Sequence, residues 1–311
     1  MIAEALIYQV GLLFLMLIPG IILAKCGLST EGLGKGLANL VLYIAQPALI
    51  VVAYVRAFDQ EILWNAIWVF IFSILSHFLF AGVAFLCFKN AEEGKQKILR
   101  FATIFSNAAY MGIPLIVAVL DDEAAIYASI YNITFNLFLW SLGVIICTGD
   151  KKQASVKKVL LHPVTISAAI GLAIFLLPID TYIPKILVDG MDMLKNLVAP
   201  LSMIIIGLRL ADLKFRGIFR DRYLYEFLFI RMLLLPAVIF VIMKGLSFIL
   251  PGINETVMTV ILVTAATPAA TATSMFAEKY DGDATYAGTL VSLSTLLSVL
   301  TMPLISLLLN V

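Results

Sequence analysis

The sequence predicts an all-α polytopic membrane protein: ten transmembrane helices forming two inverted five-helix repeats, with helices 4 and 9 broken and crossed. Three observations predict it. The chain is 62% hydrophobic and 13% charged, with a mean hydropathy of +1.05, so it offers one apolar stretch of about 20 residues after another and too few charges for a soluble domain. Its lysines and arginines concentrate in alternate loops. Its prolines recur within the apolar stretches at a nearly constant offset.

Taken in order, span 1 (5–24) follows MIAE, which holds an acid and no base, and ends in PGIILAKCG, so it reads as a retained span rather than a cleaved signal peptide. Span 2 (36–56) carries Pro47 and ends near Arg56 and Asp59. Span 3 (64–88) holds His77, span 4 (98–119) holds Pro114, and span 5 (123–148) holds Asn132, Thr134 and Asn136. After the short basic loop GDKKQASVKKV come span 6 (160–177), span 7 (191–210) with Pro200 and Arg209, and span 8 (223–250) with Arg231. Span 9 (256–278) contains Pro268, and span 10 (284–309) contains Ser292, Ser294, Thr295 and Ser298.

Sixteen of the 21 lysines and arginines lie in the odd-numbered loops and three in the even-numbered ones. By the positive-inside rule the odd loops are cytoplasmic and both termini lie outside, in a plasma (inner) membrane. Cys26, Cys87 and Cys147 then sit near cytoplasmic span ends, where reduced thiols are expected. A net charge of +1 with dispersed cations excludes nucleic acid as a partner.

Pro47, Arg56 and Asp59 recur as Pro200, Arg209 and Asp212, each 153 residues on, and Pro114 recurs as Pro268, 154 on. Tyr127 and Ala128 recur as Tyr286 and Ala287, 159 on. The chain thus divides into residues 1–153 and 154–311. Five helices per half force the second copy to enter the membrane upside down, the inverted-repeat pattern of secondary transporters, whose sites form where discontinuous helices meet near the midplane.

A proline inside a helix removes a donor and frees a carbonyl, at about 3 kcal/mol if uncompensated; irregular backbone at membrane depth survives only against protein or a cavity. Two breaks, at Pro114 and Pro268, can compensate each other by crossing. Ala108, Ala109 and Gly112, and Ala265, Ala266, Ala269, Ala270 and Ala272, would let the backbones approach. The expected substrate-binding residues are Asn107, Pro114, Thr267, Pro268, Thr271, Asn132, Asn136, Gln46 and Pro47, with a cation position near Ser106, Thr264 and Ser294.

Other residues carry plainer expectations. Arg231, about a third of the way into span 8, needs a partner, for which Glu226 or an acid at the cytoplasmic end of span 9 is nearest to hand. Arg56 and Arg209 read as membrane-interface anchors, each with an aspartate three residues on. His77 reads as a lone histidine bonded to a neighbouring helix. No carboxylate lies deep in a span, so an acid proton relay has little support, whereas sodium held by carbonyls, or an anion moving down the membrane potential, stays open. EGLGKG at 31–36 lacks the lysine–hydroxyl pair and preceding strand of a phosphate loop, and His77 and His162 form no catalytic constellation, so no cofactor and no enzyme activity are expected.

The stretches FSNAAYMGIP, YIAQPALI and the run from ATPAA to STLLSVLTMPL resemble the auxin efflux carrier family over essentially the whole chain. The resemblance implies a fold shared with sodium/bile acid symporters, in which spans 1, 2, 6 and 7 form a scaffold and spans 3–5 and 8–10 a mobile core. It implies a small carboxylate at the crossing, carried by an elevator-like movement as in bacterial organic-acid permeases, with Asn107 as a contact and a homodimer formed through the scaffold. The other readings are a sodium-coupled, bile acid-like symporter and a membrane sensor that binds without moving its ligand.

Overall fold

The structure, a computed structural model, describes residues 2–30, 32–177, 179–211, 220–250 and 252–310, without the side chains of Ile2, Ala3 and Asn310. Among the described residues the secondary structure is helical throughout, apart from one isolated bridge between two strand-like residues.

Among the described residues, seven helices are long and apolar enough to cross a membrane: α1 (Glu4–Lys25), α2 (Leu33–Ala53), α3 (Gln60–Cys87), α5 (Ala124–Thr148), α7 (Lys185–Ala211), α8 (Arg222–Ser247) and α10 (Ala284–Leu309). Between them, α6 is a bent pair, Lys151–Leu160 and Pro163–Leu176, turned by 42°. The remaining two apolar stretches are each two shorter helices: α4a (Glu93–Ile104) with α4b (Ala108–Val119), and α9a (Glu255–Ala266) with α9b (Ala272–Lys279). The protein is therefore a polytopic, all-helical integral membrane protein.

Local chemistry fixes the starts. Asp59, Asp221, Asn254 and Asp283 each accept a backbone N–H in the first turn of α3, α8, α9a and α10, so one orphan donor at each end is satisfied by a side chain. Inside the helices, wide π-turns at Val41–Ala45, Ala108–Gly112 and Ile230–Leu234 are followed within two residues by Pro47, Pro114 and Pro236. A π-turn places an extra residue in the loop ahead of the proline, which gives the chain room to absorb the ring.

Packing divides the helices into neighbourhoods. α1 lies along α7, α2 along α6 and the start of α7, while α3 packs on α5, α4a and α9a, and α10 on α9b and α1. Gly20 and Gly207 bring α1 and α7 to backbone contact: a Cβ on Gly20 would press on the carbonyl oxygen of Ile204, and one on Gly207 on that of Leu17.

One sequence expectation changes here. Arg56 and Asp59 do not pair along one helix, because α2 ends at Ala53; Asp59 caps α3, and Arg56 bonds Glu123 at the start of α5 at 2.7 Å. The matching aspartate of Arg209, Asp212, lies outside the described residues, as do Lys214 and Arg216 of the charge pattern and Glu31 of EGLGKG.

Candidate functional site

The interruptions of α4 and α9 meet. The N–H of Asn107 donates to the Pro268 carbonyl and that of Ala270 to the Phe105 carbonyl, both at 2.8 Å, so Ser106 and Ala269 face each other as an antiparallel bridge. Backbone groups that the breaks would leave orphaned in hydrocarbon thus satisfy one another. The small residues make this possible: Ala108, Ala265, Ala266, Ala269 and Ala270 are all buried, and nothing bulkier separates the two backbones.

Pro268 lies in the break itself, as expected. Pro114 does not. The chain opens at Phe105–Asn107 and Pro114 sits inside α4b, two residues beyond the π-turn Ala108–Gly112. That turn explains how it is tolerated. The carbonyl of Ala109, five residues before Pro114, receives its hydrogen bond from the Gln46 side-chain amide at 2.9 Å instead of from the donor a proline lacks. Gln46 is buried, with Oε1 unpartnered, and the neighbouring Pro47 is half-buried.

The other expected residues divide between those at the crossing and those turned to their own helix. Asn107 is buried, its side-chain nitrogen unpartnered, and its carbonyl accepts from Met111 and Gly112 at 3.1 Å. Ser106 is buried with an unpartnered hydroxyl. Ser294 accepts the Ala269 N–H at 3.2 Å and so holds the bridge from α10. Thr264 and Thr267 direct their hydroxyls to carbonyls of α9a. In α5, Asn132 donates to Ala128 at 3.0 Å and Asn136 to Asn132 at 2.8 Å, both one turn back, although Asn132 Oδ1 remains unpartnered and buried. Thr271, which precedes α9b, offers its carbonyl to Arg209 at 3.3 Å.

Two arginines take places that their sequence contexts did not indicate. Arg209 reaches from α7 across to α9b and lines a cavity of about 430 Å³ together with Ser274, Glu278, Thr285, Thr289 and Ser292 of α9b and α10. A second cavity of about 360 Å³, bordered by Ser29, Thr30 and Gly32 of the α1–α2 connection, is also lined by Arg209. Arg209 is therefore half-buried between helices. Arg231 is fully buried, and its terminal nitrogens donate to the carbonyls of Ala265 at 2.8 Å and Thr267 at 2.7 Å, so carbonyls fill the place expected for a carboxylate. His77 bonds the Ser73 carbonyl of its own helix at 2.7 Å and stacks on Phe138 at 4.8 Å, so it is held by α3 and an aromatic cage. The only signal for Arg209 was its proximity in sequence to the second repeat's proline; for Arg231 it was burial of a charge with no acid in its own membrane layer.

A helical membrane protein whose interrupted helices cross beside a polar cavity has the build of a membrane transporter. Comparison with known proteins gives the family. The model of a membrane transport protein family matches residues 5–158 and 152–306, and the chain belongs to that family, the auxin efflux carrier family. It is also similar to an uncharacterized transporter of Methanothermobacter thermautotrophicus, 25% identical over 295 residues that cover 93% of each chain.

Proposed function

We propose that the protein is a secondary transporter that carries a small organic carboxylate, bound beside the crossing of α4 and α9, by alternating access of an elevator type. In this reading the ten apolar segments form two inverted repeats, residues 1–153 and 154–311, and both termini lie outside. Helix starts give the repeat further support, since α3 and α8, and α4a and α9a, begin 162 residues apart and α5 and α10 begin 160 apart.

One observation carries the choice of substrate. Arg209 lines a cavity of about 430 Å³ that runs along α9b and the first turns of α10, against serine and threonine hydroxyls. A guanidinium presents planar paired donors that match a carboxylate, the N-terminus of α10 at the same cavity adds partial positive charge, and the volume accommodates a small acid. Glu278 on the same wall disfavours a second negative charge there, which favours monocarboxylates over dicarboxylates.

Uptake or counterflow of labelled mono- and dicarboxylates into proteoliposomes tests the proposal. Saturable flux that Arg209→Ala reduces at least 10-fold is expected, from a charge-assisted contact of about 1.5–3 kcal/mol. No flux for any acid across a broad panel would overturn it.

A further inference from the structure

Arg231 is the largest fully buried side chain among the described residues, and it serves neither the cavity nor an ion pair. It leaves α8 at the π-turn Ile230–Leu234, lies over the Phe80 ring at 5.6 Å, and spends both terminal nitrogens on the carbonyls where α9a stops. Its third nitrogen, Nε, is buried without a partner.

The position is a cation site by its physics. The last turn of a helix leaves carbonyls unpaired and carries about half a negative charge, and a break at membrane depth denies them water. Such half-helix ends, with unwound carbonyls, are where transporters with discontinuous helices coordinate small cations. Here the carbonyls of Ala265 and Thr267 each accept from one terminal nitrogen of a single guanidinium, and the charge supplied there is covalently attached. A guanidinium keeps its charge in such surroundings where an ammonium sheds it more readily.

We propose that Arg231 is a tethered cation: its guanidinium occupies the cation position created by the broken end of α9, so that removing the side chain's charge leaves a binding site for a small monovalent cation. The inference concerns the same crossing as the transport proposal and rests on that reading for its bearing on coupling, but the site itself is defined by the carbonyls. Replacing the guanidinium with a mobile ion would exchange a fixed internal charge for one that can come and go with a gradient.

The test is thermal unfolding of the purified full-length protein, as wild type, Arg231→Ala and Arg231→Gln, in choline, lithium, sodium and potassium chloride at equal ionic strength. Wild type should melt at the same temperature in all four. Both variants should melt lower in choline and recover by several degrees, saturably, in lithium or sodium, because a ligand that binds only the native state stabilises it by mass action. Equal destabilisation of both variants in every salt would reduce Arg231 to a structural strut and overturn the proposal, and so would a saturable sodium response of wild type. Failure of the wild type to move any carboxylate would remove the transport reading and leave this result standing, so the two fail separately.

Discussion

Gln46 shows at one residue how a membrane helix keeps a proline. Its amide supplies the donor that Pro114 withholds from Ala109, and it comes from α2, a different helix from the one repaired. Gln46→Leu should therefore lower stability by about 1–3 kcal/mol, the cost of a buried carbonyl left unpaired, and chemical denaturation in mild detergent measures it; an unchanged midpoint would mean that water or another donor takes over. Asn107, with a buried unpartnered amide at the crossing, should weaken carboxylate binding when changed to alanine, read as a raised dissociation constant with unaltered melting. On the cytoplasmic side of the expected topology, Asp221 is pushed up by burial but held below the usual carboxylate range by the Lys95 ammonium at 3.0 Å and the Tyr223 N–H. A depressed folded-state value contributes stability above the unfolded carboxylate pKa of about 4 and loses it as pH falls through the folded value. Wild type should thus lose stability more steeply than Asp221→Asn on acidification below about pH 4, and parallel curves would contradict it.

At the scale of elements, the break in α9 was readable because Pro268 stands among alanines and threonines, whose lack of bulk is itself the requirement for two backbones to touch. The break in α4 was displaced by seven residues in the reading, from Asn107 to Pro114, since a proline in the first turns of a helix and a proline at a break look alike in sequence. What sequence could not carry was which groups answer a buried charge: Arg231 is satisfied by carbonyls, and every residue has one. The same blindness hid Arg209, whose position depends on how close α7 comes to α9b. Close approach also governs α1 against α7, where Gly207→Val should overpack the contact and cost about 1–3 kcal/mol or prevent assembly, whereas Gly190→Ala, on an open stretch of α7, should be neutral. Melting temperatures of the two variants decide it. Ion pairs join the helices of the expected scaffold to the expected core on one face, Arg56 with Glu123 and Lys195 with Asp122. If the core slides, these pairs must part, so Arg56→Cys and Glu123→Cys joined by a short bifunctional, reducible thiol cross-linker should stop flux and reduction restore it; full flux in the cross-linked protein would exclude the movement.

For the whole molecule, the account reduces to one arrangement: two interrupted helices, contributed by opposite halves of the chain, complete each other's backbone bonding inside the bilayer and set a polar cavity beside the join. Everything proposed about substrate, cation position and movement depends on that join existing in the membrane. It is measured most directly with Ser106→Cys and Ala269→Cys in a chain whose Cys26, Cys87 and Cys147 are replaced by alanine. The two residues form the non-hydrogen-bonded pair of an antiparallel bridge, where α-carbons lie about 4.5 Å apart, within the range a disulfide spans. Oxidation of the protein in its native membrane should join them rapidly and nearly completely, while Ser106→Cys paired with Ala287→Cys stays reduced. Absence of that bond, or its formation no faster than in the control pair, would contradict the crossing and with it the site.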